Sequence, residues 1–147
     1  MAAYIRPLGS VFGHFNGVTE DFLAGATIAN GDFLQFDGSG NVIPATTGRI
    51  IGTAQSDAVS TGTVKVLIAP YSKYLVQASA ALTAAQVGSY FPLTGGTGAQ
   101  KINQASPSTT NGQLLVLQIA PKIDPVRTDS TWNVVTIAQY ALDSENT

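Results

Sequence analysis

Gly25-Ala-Thr-Ile-Ala-Asn-Gly-Asp-Phe-Leu-Gln-Phe36 decides the fold class. Gly25 to Ala29 is a short strand, Asn30-Gly31 is a strong turn dipeptide, and Phe33 to Phe36 follows as a strand. The same alternation of run and corner continues through residue 69. Asp37-Gly-Ser-Gly-Asn41 is a Gly-rich loop, and Val42-Ile-Pro-Ala-Thr46 returns from it. Pro44 lacks a backbone N–H, which restricts that return to the edge of a sheet. Arg49 to Ala54 is a further strand. Thr63-Val-Lys-Val-Leu-Ile68 alternates, with Val64, Val66 and Ile68 on one face and Lys65 and Leu67 on the other. Short strands separated by turn clusters read as a small β-barrel or sandwich.

Working outward, residues 70–125 continue in β. Tyr74 to Ala78 is a strand. Thr83-Ala-Ala-Gln-Val-Gly88 allows one or two helical turns before a Gly stop, and almost no other helix is predicted. Thr94-Gly-Gly-Thr-Gly-Ala99 is a hairpin or loop, and Lys101 begins a short strand. Gln113-Leu-Leu-Val-Leu-Gln-Ile-Ala120 is the longest apolar run and is expected to be the most buried strand. Trp132 to Leu142 is a final strand. Residues 1–24 show neither a helical nor a strand period and read as an N-terminal arm. The expected organisation is an arm at 1–24, one all-β domain at 25–125, and a C-terminal strand and tail at 126–147.

Composition narrows function by exclusion. The chain has 147 residues, enough for one ordinary domain with a real core. Only 11% of them are charged, and the net charge is −2. So few scattered basic groups cannot neutralise much phosphate, which argues against nucleic acid as a partner. No apolar run approaches the ~20 residues of a membrane span, and no membrane partner is expected. The first residues lack the pattern of a signal peptide, which fits synthesis in the cytoplasm. Cysteine is absent, so there is neither a disulfide framework nor thiolate chemistry.

The candidates for chemistry are few, and each has a plainer reading. His14 is the only histidine and lies in the irregular arm, a poor scaffold for a catalytic geometry. One histidine and no cysteine cannot build a zinc site from the usual ligands. Asp37-Gly-Ser-Gly-Asn41 has the oxygen ligands of a calcium loop but lacks its spacing and distal Glu, and it reads as hairpin chemistry. Gly95-Gly-Thr-Gly98 lacks the following helix that a phosphate cradle needs. Glu20-Asp21 are neighbours in sequence, not two acids across a cleft. The expectation is a protein that is not an enzyme, with no catalytic, metal-binding or cofactor-binding residues.

Gly31-Asp32, Ile51-Gly52 with Ala54, and Gly62-Thr-Val-Lys-Val66 fill a familiar pattern. In it a Gly-Asp corner, an apolar strand, a polar return, Ile-Gly-x-Ala and Gly-x-Val-x-Val follow one another. It resembles the capsid cement (head decoration) proteins of tailed bacteriophages. That resemblance implies a structural virion protein on the outer surface of an icosahedral capsid, without enzymatic activity. Its implied partners are the major capsid protein and other copies of itself, as a homo-oligomer, a trimer in preference to a dimer. The expected interface anchors are Tyr4, Ile5, Phe12, Phe15, Trp132 and Tyr140, because aromatic and large apolar side chains dominate protein interfaces. For Trp132, packing within its own chain is the equal alternative. The segment Val134 to Leu142 is a candidate for strand addition across a subunit boundary. The alternative function is a carbohydrate- or receptor-binding β module of a phage tail or fibre, using Tyr71, Tyr74, Tyr90 and the 94–98 loop.

Overall fold

The structure is a computed structural model that describes residues 5–10, 18–69, 72–121 and 131–137. Among the described residues twelve strands and one single-turn 3₁₀ helix make an all-β fold. Two five-stranded sheets carry the architecture.

The first sheet comes from residues 18–68. Its strands are β2 (Val18–Leu23), β3 (Phe33–Phe36), β4 (Val42–Pro44), β5 (Gly52–Ala54) and β6 (Thr63–Ile68). They pair antiparallel in the order β2-β6-β5-β3-β4. The sheet curls until its two ends touch: Ala24 bridges Val42, and the Gly25 N–H reaches the Val42 carbonyl at 2.8 Å. Pro44 does sit on an edge strand. Gly25 to Ala29, read above as a strand, instead forms a bend held by isolated bridges at Ala24 and Ile28. On β6 the expected alternation holds for Val64, Val66 and exposed Lys65, although Leu67 on the opposite face is buried as well. Ala24, Ile28, Leu34, Val42, Ala54, Val64 and Val66 fill the curl. Gly52 is demanded by its surroundings, since a Cβ there would lie 2.2 Å from the Leu67 carbonyl oxygen.

The second sheet is assembled from distant segments. It joins β1 (Ile5–Ser10), β7 (Ser72–Gln77), β8 (Tyr90–Phe91), β11 (Leu114–Ile119) and β12 (Trp132–Ile137) in the order β1-β7-β12-β11-β8. Beside it a two-residue hairpin pairs β9 (Leu93–Thr94) with β10 (Lys101–Ile102), and Ile102 bridges Ala78. The helical turn foreseen after Thr83 is present as a 3₁₀ turn over Ala84–Gln86, with the Gln86 carboxamide accepting from the Thr83 N–H.

Three expectations need correction. The described parts of the N-terminal arm are regular: β1 pairs with β7, and β2 pairs with β6 over all six residues. Neither strand shows a period because an edge strand needs only one apolar neighbour at a time. Among the described residues the longest strand buried throughout is β12, and β11 is not buried throughout. A register shift between Val116 and Gln118 on β11 turns Leu117 outward to 39% exposure. Finally, Trp132–Ile137 is hydrogen-bonded on one side to β7 and on the other to β11, so this part of the expected strand-adding segment has no free edge.

The two sheets share one core. Phe33, Ala45 and Ile50 from the first sheet pack with Ile5, Tyr74, Val76, Phe91, Leu114, Val116, Val135 and Ile137 from the second. Phe33 and Tyr74 meet edge to face, with ring centroids 5.1 Å apart.

Candidate functional site

Polar chemistry concentrates where the sheets meet, and there it is buried. Asp32 is fully buried at the end of the Asn30-Gly31 turn, where Gly31 has φ of +95°. Its carboxylate accepts from the Ala29 N–H at 2.9 Å, from the Gly98 N–H at 2.8 Å and from the Thr97 hydroxyl at 2.5 Å. Gln100, also fully buried, acts as a strand substitute. Its carbonyl accepts from the Phe33 N–H at 2.7 Å, and its amide donates to the carbonyls of Phe33 and Ala45. Gln113 accepts from the Leu93 N–H at 2.8 Å and donates to the Gly48 carbonyl at 2.7 Å. These three side chains tie backbone of residues 29–48, on the side of the first sheet, to the β9–β10 hairpin and the start of β11, on the side of the second. A buried polar group is tolerated only when it is satisfied in this way.

The seam therefore uses these polar groups for structure. The Gly95-Gly-Thr-Gly98 loop is the tip of the β9–β10 hairpin, and Lys101–Ile102 continues it as strand. Gly95 (φ +88°) would bring a Cβ to within 2.2 Å of the Ala99 carbonyl oxygen, so the tight turn requires glycine there. Thr97 and Gly98 point at Asp32 and not at an empty anion position. Asp37 accepts from the backbone N–H groups of Ser39 and Asn41 at 2.7 and 3.2 Å, so its loop is a hairpin closed by its own carboxylate. Asp57 accepts from the Asn30 N–H at 2.7 Å. Among the described residues, no three His, Cys, Asp or Glu side chains gather as a metal site would need. No helix among them is long and apolar enough to cross a membrane. His14 lies outside the described residues.

Next to the seam is an open groove of about 420 Å³, lined by Thr27, Ile28, Ala29, Ala58, Val59 and Thr97, with Asp57 at its side. Val59 at its rim is 70% exposed. Two residues on, Thr61 holds φ of +69°, a strained conformation for a β-branched residue. The polar groups here already serve the turn and the seam, so the groove offers apolar contact and no reactive group.

Of the expected interface anchors, the structure describes two. Ile5 is buried in the shared core, and Trp132 is 7% exposed on the central strand β12. Both side chains are largely taken up within the chain, and little of either is left for a neighbouring molecule. Tyr4, Phe12, Phe15 and Tyr140 lie outside the described residues. For the alternative sugar-binding cluster, Tyr74 is fully buried against Phe33, which removes it as a stacking platform, while Tyr90 is half-buried. Tyr71 lies outside the described residues. The residues that sequence reasoning missed are Gln100 and Gln113. Their partners stand 67, 55, 20 and 65 positions away in the chain, and nothing local announces them.

Comparison with protein-family models and with the curated proteins finds no match to this chain.

Proposed function

We propose that this chain is a structural subunit of a bacteriophage head. In this reading it binds the outside of the icosahedral capsid, bridges neighbouring major capsid protein subunits and resists internal pressure. It acts as a homo-oligomer, a trimer in preference to a dimer, and needs no cofactor. The observation that carries the reading is the use made of the residues that resemble the cement proteins. Gly31 and Asp32 form the seam, Gly52 lets β5 lie against β6, and Ala54, Val64 and Val66 fill the curled sheet. The motif builds a scaffold, and its one acid, Asp32, is engaged in hydrogen bonds within the fold. A surface poor in charge also suits permanent contact, because neutral polar faces are desolvated at less cost than ions.

The test is to mix the purified chain with undecorated heads, then measure bound copies by sedimentation and the temperature at which the heads release DNA. Saturable binding with a raised release temperature is the expected result. Failure to bind heads, together with specific capture on a glycan array, would replace this reading with the tail or fibre receptor-binding one.

A further inference from the structure

Sheets in natural proteins blunt their edges with short strands, proline, bulges or covering loops. Most edges here follow that rule. β4 has three residues and includes Pro44, β8 has two residues, and β1 contains Pro7 and a register shift. β2 does not follow it. It is six residues long, lacks Pro and Gly, and pairs with β6 in unbroken register from Val18↔Ile68 to Leu23↔Thr63. Five of its six residues are exposed, Val18 to 56%.

The direction of its backbone groups follows from its two ends. The Ala24 N–H reaches back across the β6 side to the Gly62 carbonyl at 2.8 Å, and the Gly25 N–H points the other way, to Val42. Backbone direction alternates along an antiparallel strand. The even-numbered residues of β2 therefore bond to β6, and the N–H and C=O groups of Thr19, Asp21 and Leu23 face outward. At the end of this row the parallel bridge of Ala24 to Val42, with the Gly25 N–H on the Val42 carbonyl, sets the Leu23 carbonyl on the Val42 N–H. No strand among the described residues lies along Thr19 and Asp21, which offer two open donor–acceptor pairs on this edge.

Charge selects the occupant. The strand carries Glu20 and Asp21; Asp21 already meets Lys65 at 3.2 Å, and Glu20 has no cation beside it among the described residues. A second copy of β2 laid antiparallel on the first would set these acids opposite one another, which is unfavourable. A strand bearing Lys or Arg gains at the same positions.

We propose that β2 accepts an extended, basic segment of a partner protein as a sixth strand of the first sheet, through Thr19 and Asp21. The proposal goes beyond the shell reading and does not depend on it. Backbone pairing supplies the affinity, and Glu20 supplies the preference for a cation.

The experiment uses the full chain and two hexapeptide probes, Thr-Lys-Val-Lys-Val-Thr and the same peptide with Glu for Lys. Amide hydrogen exchange is followed residue by residue. The basic peptide is expected to slow exchange at Thr19 and Asp21 and to leave Phe22, already bonded to β6, unchanged. The acidic peptide is expected to bind about threefold to tenfold more weakly, the range for reversing a cross-strand charge pair. Thr19→Pro removes an outward N–H that the fold does not use and should abolish the protection. Glu20→Lys alters only an exposed side chain and should invert the preference between the peptides. The proposal is overturned if neither peptide slows exchange, if both do so equally, or if the two amides are already protected without peptide. That last result would assign the edge to the chain itself or to another copy of it.

Discussion

β2 and β12 are both six-residue strands paired antiparallel to their neighbours, and they stand at opposite extremes of the molecule. Val18-Thr-Glu-Asp-Phe-Leu23 has one partner strand, and only Phe22 is partly buried. Trp132-Asn-Val-Val-Thr-Ile137 has a partner on each side and is buried throughout, Asn133 and Thr136 included. Val135 and Ile137 belong to the shared core, while Trp132 and Val134 alternate to the other face of the same strand. The charges follow the same division. The stretch 18–69 holds Glu20, Asp21, Asp32, Asp37 and Asp57 against Arg49 and Lys65, whereas 72–121 has Lys73 and Lys101 and no acid at all. One sheet is committed to holding the molecule together. The other leaves a long edge in water and marks it with acid.

The sharpest way to break this comparison is to truncate one aliphatic side chain in each strand. Ile137→Ala is expected to lower unfolding free energy by roughly 2–5 kcal/mol, the range for emptying a packed aliphatic site. Val18→Ala should change it by less than about 0.5 kcal/mol, as exposed substitutions do. Urea denaturation measures both, and comparable losses at the two positions would contradict the division.

The seam between the sheets comes next. Gln100→Ala leaves the Phe33 N–H buried without its partner, which should cost about 1–3 kcal/mol. If the sheets are one cooperative unit, fluorescence and far-ultraviolet circular dichroism will still report a single transition for this variant. Two separated transitions would show that the seam does not couple them.

Smaller effects sharpen the picture of the exposed sheet. Thr61→Gly relieves a positive φ at a β-branched residue and adds chain entropy to the unfolded state, for a net gain of about 1 kcal/mol. A raised melting temperature is the expected reading. Lys65→Ala removes the Asp21 partner, where both side chains are more than half exposed, and should move the midpoint hardly at all. A clear loss with Lys65→Ala would mean that β2 is held by charge and not by its backbone ladder.

Much of the first sheet was legible in the residues. Asn30-Gly31, the Pro44 edge and the alternation of Val64 and Val66 are local signals, and each acts within a few positions of where it is written. The second sheet was harder to read. β1, β7 and β12 are neighbours in space but lie some 60 residues apart along the chain, and no turn dipeptide records that pairing. The ranking of β11 above β12 failed for a related reason. An apolar run measures what a strand is able to bury, and position in the sheet decides how much of it is buried.

The sequence by itself determined the all-β class, the scarcity of helix and the corners of the curled sheet. It also determined the poverty of reactive groups, because composition bounds chemistry whatever the fold. Only the tertiary structure decided that Asp32, Gln100 and Gln113 bind the two sheets across a buried seam, and that Ile5 and Trp132 serve the interior. It alone decided which strand keeps an open edge. Hydrogen bonds between residues far apart in the chain, and the count of neighbours a strand acquires, depend on how the sheets assemble, and no short window of residues contains that information.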